Sequence, residues 1–304
     1  LLAVFVLAGC GAGEGTGIGP EVEDAGNPQG IPFTPPPGPA DEVTIEAPST
    51  PPSCPSGRFF VGRAQGQVLD LQDRPVAGGN VSICGSVCIS ARTGADGRFD
   101  ARIESCFAPN EEYPHGATFQ FDGIQQRTDV FFDFNSASVT QMGTVRFRRP
   151  FYAGSFAEGG TARAPMSSAT PVRLVDGLGF ALRIVPNTIE YPINATEEVV
   201  RALRVPVSRL PPFGVRAPAV AYAVAPSDAV LRAPAAVEFP NVSGLAPGTA
   251  VEIVAVGNHA SGARPPIGML DRVDTGRVSS DGRRVVADTG LRFFGLVGYR
   301  TLSR

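Results

Sequence analysis

Two histidines, five cysteines and 29 acidic side chains are the groups in this 304-residue chain most able to do chemistry. A zinc hydrolase needs several His or carboxylate ligands together with a catalytic Glu. His115 and His259 are well separated, and neither is followed by a ligand-spaced carboxylate, so that set is incomplete. His115 stands in the loop-like stretch Tyr113, Pro114, His115, Gly116 and reads as a surface histidine. Asp70, Asp73 and Asp96 could gather round Ca²⁺, but their spacing fits no calcium loop and Asp is common in turns. The glycines from Gly9 to Gly15 make no phosphate cradle, because no strand precedes them and no helix follows. Asn80, Asn194 and Asn241 each open an Asn-X-Ser/Thr triplet, a pattern that also arises by chance. Arg146, Arg148 and Arg149 form a small basic cluster; a solvated junction and a contact to membrane or polysaccharide are both open. No catalytic residue, metal or cofactor is assigned on this pattern.

The elements that must carry these groups begin with an apolar run. Leu1 to Ala8, LLAVFVLA, has the length of a signal-peptide h-region and is too short to span a hydrocarbon core of roughly 30 Å as a helix. It ends in Leu7, Ala8, Gly9 and Cys10, which resembles the lipobox of bacterial lipoproteins, where small residues fit the signal peptidase and the Cys thiol takes a diacylglycerol. The resemblance implies that residues 1–9 belong to a signal peptide, that Cys10 is lipidated, and that the chain meets a membrane through this lipid. Gly11 rather than Asp follows the Cys and implies sorting to the outer membrane. Residues 10–53 are rich in Gly, Pro, Ser and acids, with too few large apolar side chains to offset the entropy of ordering. They are expected to form a disordered tether spanning roughly 35 Å on average.

With Cys10 set aside for the lipid, Cys54, Cys84, Cys88 and Cys106 remain, an even set that in an exported chain implies disulfides. Three connectivities exist. Cys84 and Cys88 flank three residues and could face each other across a tight hairpin, so the expected bridges are Cys84 with Cys88 and Cys54 with Cys106. A structural zinc on four thiolates is the alternative, without the paired CxxC knuckles that usually supply it.

The chain holds 36 Gly and 29 Pro, which break helices and mark many short elements joined by turns. The fold class expected is all-β, as two tandem β-sandwich domains at 54–149 and 150–304 behind the tether. The net charge is −3 and the 26 basic residues, all Arg, are scattered, which argues against a nucleic-acid partner. In the first domain Gln67, Leu69 and Leu71 alternate with Val68 and Asp70, Asp73 to Pro75 is a turn candidate, and Asp96-Gly97 is a hairpin signal. Gly66, Val68 and Asp70, then Arg74 to Gly78, then Thr93, Asp96, Gly97 and Phe99 resemble the carboxypeptidase regulatory-like domain. Over residues 58–148 the resemblance implies a transthyretin-like seven-stranded sandwich, and this module is not itself a peptidase. Phe119 and Phe121 read as core.

In the second domain Gly179–Val185, Ala219–Ala225, Val237–Pro240, Val251–Val256 and Gly276–Ala287 read as strands. Glu197–Leu203 is open between a helical turn and a strand, and the Gly-rich stretch at Glu158, Gly159 and Gly160 hints at freedom between the domains. Ala235 to Asn241, Gly244 to Thr249 and Gly276 to Gly282 resemble the β-sandwich domain shared by zonula-occludens, netrin-receptor and ankyrin proteins, over roughly residues 171–300. Some members of that family self-cleave at a His-Phe-Ser turn. Here the stretch is Asn258, His259, Ala260 and Ser261, without the Phe, and it reads as a polar loop. The function expected is a non-catalytic cell-envelope lipoprotein, a binding or structural module for an unknown protein or glycan. A carboxylate-dependent hydrolase and an envelope assembly factor are the alternatives.

Overall fold

The computed structural model describes residues 43–48, 53–56, 58–84, 88–107, 118–122, 132–133, 141–155, 159–192, 197–210, 215–227, 229–258, 260–262, 265 and 269–302, all of them in one compact unit. The fold is all-β, and no α-helix occurs among the described residues. The first body consists of β1 (Val43–Glu46), β2 (Phe59–Asp70), β3 (Asn80–Cys84), β4 (Cys88–Arg92), β5 (Arg98–Phe107), β6 (Thr118–Asp122), β7 (Phe132–Asp133), β8 (Gln141–Phe147) and β9 (Phe151–Ala153). One sheet runs β1-β8-β2-β5, with β9 alongside the end of β2, and a second runs β4-β3-β6-β7. The pairing of β2 with β8 and with β9 is parallel.

Period-two alternation decides which side chains meet between the sheets. Ala64 and Val68 of β2, Phe99, Ala101 and Ile103 of β5 and Val145 of β8 point inward and bury against Val81 of β3, with Ile89 and Ala91 of β4 packed beside them. Val61 and Ala64 are both buried although three residues apart, because the β2–β5 register shifts between Val61 and Arg63 and reverses the facing.

Two turns hold this framework. Gly97 lies at φ +73°, and Gly97 donates to the Gly94 carbonyl while its own carbonyl accepts from Val68. The Asp96-Gly97 turn is not a hairpin, however: β4 and β5 belong to different sheets, so this turn is a corner carrying the chain across the sandwich. Buried Thr93 pins the corner, its hydroxyl donating to the Val76 carbonyl and accepting from Gly79 N–H at 2.7 Å. In the other turn, Asp70 accepts from the backbone N–H of Gln72 (2.9 Å) and Arg74 (2.8 Å) and from the Arg74 side chain (2.6 Å). Burial works to raise the Asp70 pKa, but the bonds from Arg74 and Gln72 outweigh it and hold the carboxyl below its ordinary value. A depressed folded-state pKa adds stability that is present above the unfolded value of about 3.9 and fades as pH falls through the folded one. The urea midpoint of Asp70→Asn is therefore expected to lie below that of the parent at pH 7, by about 1 kcal/mol of stability, and the two should converge toward pH 2–3.

The second body consists of β10 (Gly160–Arg163), β11 (Val172–Val175), β12 (Ala181–Ile184), β13 (Ile189–Glu190), β14 (Val199–Val205), β15 (Val220–Ala225), β16 (Val230–Pro240), β17 (Ala250–Val256), β18 (Leu270–Val278), β19 (Arg284–Ala287), β20 (Leu291–Phe293) and β21 (Leu296–Thr301). A single sheet runs β10-β14-β15-β21-β17-β18-β19-β16-β12-β11, with β13 and β20 on β16. It curls until its two ends lie side by side, Gly160 of β10 standing against Leu174 and Val175 of β11. The result is a near-barrel, and its interior is filled by Phe180, Tyr222, Phe239, Phe294, Tyr299 and Leu174, all fully buried. Phe180 and Tyr222 stack at 4.3 Å between ring centroids. β15 is buried on both faces. Val220, Tyr222 and Val224 point into the barrel, while Ala221, Ala223 and Ala225 join Leu203, Val205 and Leu210 in an outer cluster.

Three boundaries differ from the sequence reading. Val43–Glu46, inside the segment expected to be tether, is strand β1, paired with β8 from Val43↔Phe147 to Glu46↔Thr144. Residues 151–153, assigned to the second domain, are β9 and place Phe151 and Ala153 in the first core. Gly159 and Gly160 are not a free linker. Gly160 opens β10, and a side chain at Gly159 would collide with the Ala202 carbonyl, so the glycines serve close packing. Of Glu197–Leu203, open in sequence between a helical turn and a strand, residues from Val199 onward belong to β14.

The two bodies also share side-chain contacts. Leu71, just past β2, packs on the outer cluster of the second body. Arg209, in a 3₁₀ turn at Val207–Arg209, forms an ion pair with Asp73, donates to the Tyr152 hydroxyl at 2.8 Å and lies 4.7 Å over the Tyr152 ring. Burial lowers the Arg209 pKa, yet Asp73 and Tyr152 together raise it above its usual value. Arg209→Ala should leave both cores intact and speed limited proteolysis of the chain by subtilisin severalfold, read by the rate of fragment appearance.

Candidate functional site

An open cleft of about 600 Å³ lies on the first body, lined by Gln65, Gly66, Gln67, Arg92, Arg98, Phe99, Asp100, Arg146, Phe147, Arg148, Arg149 and Pro150. Three neighbouring strands build most of it, and Arg92 at the end of β4, in the other sheet, adds to its lining. Gln65 of β2 stands opposite Asp100 of β5 on one side and Arg146 of β8 on the other, and Gln67 stands opposite Arg98. Because alternate residues face alternate sides, Gly66 and Phe99, also a register pair, turn toward the core between these polar rows. Gly66 must be small: a Cβ there would stand 2.7 Å from the Phe99 ring. Its absence lets Phe99, Phe147 and Phe151 pack as a trio, with Phe147 and Phe151 edge to face at 5.1 Å. Phe147 is half-buried, so the cleft has an aromatic floor as well as polar walls.

Charge is one-sided. Among the described residues, five guanidinium groups line the cleft against the single carboxylate of Asp100. Asp100 is engaged by Arg63 at 2.6 Å and by the Gln65 amide at 3.1 Å. Arg146 pairs with Glu46 of β1 at 3.0 Å and donates to the Gln65 side-chain oxygen, while Arg148 donates to the Thr44 hydroxyl at 2.8 Å. The Glu46 hydrogen bond holds the Arg146 pKa above its ordinary value. Strand β1 thus positions two of the arginines. Arg98 is set by its neighbour Asp96, which accepts the Arg98 backbone N–H at 3.0 Å and faces its guanidinium at 3.6 Å. Planar guanidinium forks, always charged and rich in donors, suit carboxylate, sulfate or phosphate oxygens. The arrangement can hold an anion against a partly apolar floor.

Sequence reading found Arg146, Arg148 and Arg149 as a cluster and missed Arg92, Arg98, Asp100, Gln65, Gln67 and Phe147 as its neighbours. The alternation of Arg98 with Asp100 and of Gln65 with Gln67 was visible. Their assembly was not, because it depends on β8 pairing in parallel with β2 from far along the chain.

The other singled-out residues lie elsewhere. Cys54 and Cys106 form a disulfide with a Cα–Cα separation of 5.7 Å, which takes two of the four thiols from any zinc site. The β3–β4 register sets Cys84 opposite Cys88. Their side chains, the rings of Phe119 and Phe121, Cys10, the whole 1–42 segment, His115, His259 and Asn194 lie outside the described residues. Asp70, Asp73 and Asp96 do not converge: each is engaged with an arginine, Arg74, Arg209 and Arg98 respectively. Among the described residues no group of three metal-ligating side chains occurs, and no helix is long and apolar enough to cross a membrane. The Asn241 amide is occupied by the Leu245 and Gly282 carbonyls. The Ser261 hydroxyl accepts from Asn258 N–H and donates within the same turn, to the Asn258 carbonyl at 2.7 Å. Compared with protein-family models, curated proteins and solved structures, the chain matches none.

Proposed function

We propose that this chain is a non-catalytic binding module of a bacterial cell envelope, anchored through a lipid on Cys10 and engaging an anionic ligand in the arginine-lined cleft of its first body. The single observation carrying the binding role is the concentration of Arg92, Arg98, Arg146, Arg148 and Arg149 around one open cleft in a chain whose net charge is −3. A local basic focus on an acidic protein attracts anions and orients their approach. The lipobox-like run ending at Cys10 and the Pro/Gly-rich segment after it support the anchored placement, with outer-membrane sorting suggested by Gly11. Resemblance of the first body to the carboxypeptidase regulatory-like domain, a module distinct from the peptidase it accompanies, supports the non-catalytic reading.

The test is calorimetric titration of the full chain carrying Cys10→Ser with dextran sulfate and with neutral dextran. Dextran sulfate should bind, with affinity falling steeply as salt rises from 50 to 200 mM, and dextran should not. Equal behaviour of the two polymers would overturn the anion-binding role. Labelling of cells with radioactive palmitate, compared between the parent chain and Cys10→Ser, tests the anchor separately. Equal labelling of both would remove the lipid from the proposal.

A further inference from the structure

The cleft offers more than positive charge. Asp100, the only carboxylate among the described residues of its lining, sits directly across Gln65 from Arg146. Asp100 already holds Arg63 at 2.6 Å and the Gln65 amide at 3.1 Å, but a carboxylate has about four lone-pair sites, and those left over meet a ligand made only of acceptor oxygens as repulsion and a ligand carrying hydroxyl donors as a partner. Gln67 spends one amide hydrogen on the Asp96 carbonyl at 2.9 Å and retains a second donor and an acceptor, the neutral pair that suits hydroxyl groups. Phe147, half-buried in the floor, supplies an apolar surface between the polar rows. The cleft is open rather than enclosed, and its volume of about 600 Å³ exceeds what a single small anion fills.

Resting on the anion-binding role proposed above, we infer that the cleft takes a segment of an acidic polysaccharide of the uronate class. Its ring carboxylates lie on the arginine forks, its hydroxyls reach Asp100 and Gln67, and the C–H face of a sugar ring covers Phe147. Polyphosphate would satisfy the arginines and leave Asp100 opposed.

The experiment is calorimetry of the full chain with oligogalacturonate, its methyl ester, polyphosphate of matched charge, phosphatidylglycerol vesicles and single-stranded DNA. Oligogalacturonate should bind at least tenfold more tightly than the methyl ester and than polyphosphate. Asp100→Asn, which keeps the side-chain shape, should raise polyphosphate affinity severalfold and lower that for oligogalacturonate. If polyphosphate, vesicles or DNA bind as well as oligogalacturonate, the saccharide assignment is overturned while anion binding stands. If no acidic polymer binds, both fail together.

Discussion

Replacing Cys54 and Cys106 together by alanine is expected to lower the unfolding free energy by about 4 kcal/mol, the largest single effect on stability that the fold implies. The bridge joins residues 52 apart in sequence, so in the unfolded chain it removes the freedom of a long loop. In the folded state it fastens the segment ahead of β2 to β5, where Cys106 stands opposite Phe60. The chain between its ends contains the corner at Gly97 and strand β3, which pairs with β6 beyond the bridge, so its assembly requires strands distant in sequence to find each other. Urea denaturation of the oxidised parent and of the double alanine variant measures the difference. A gap below 1 kcal/mol would mean that the unfolded ensemble is already confined by other contacts, and the loop-entropy account would be wrong for this chain.

That dependence on distant pairing also explains what could be read from the sequence. The all-β character was legible because the first half of β17 and the second half of β18 alternate, β15 is a short continuous apolar run of strand length, and Gly and Pro punctuate the rest. Local turn chemistry was legible as well, in the Asp70–Pro75 turn and in the positive-φ glycine at Gly97. What a turn connects was not. The Asp96-Gly97 signal reads as a hairpin from its residues alone, yet β5 takes β2 as its partner and leaves β4 in the opposite sheet. Short edge strands escaped for a related reason. β1 and β9 have four and three residues, too few to show a period, and composition assigned them to the tether and to the second domain. They are stabilised by pairing with β8 and β2 rather than by their own sequence. The cleft inherits both difficulties, since its walls come from β2, β5 and β8 and two of its arginines are positioned by β1.

Substituting Arg92, Arg98 and Arg149 together by alanine is expected to weaken dextran sulfate binding about 100-fold at 100 mM salt while leaving the urea midpoint nearly unchanged. The choice of residues follows from the geometry. Arg146 and Arg148 hold β1 through Glu46 and Thr44, so changing them would mix lost binding with a loosened edge strand. All three chosen side chains are exposed: Arg92 and Arg98 stand at the ends of β4 and β5, whose backbone hydrogen bonds do not depend on them, the exposed Arg98–Asp96 pair adds little stability, and Arg149 lies past the end of β8. Removing three cations should also reduce the slope of log affinity against log salt by about 2 to 3, because fewer counterions are released from the polymer. A neutral change elsewhere would shift affinity without touching that slope. The combination therefore separates direct charge contact from indirect disturbance: reduced affinity with an unaltered slope would place the anion away from these arginines, and loss of both would fix it in the cleft.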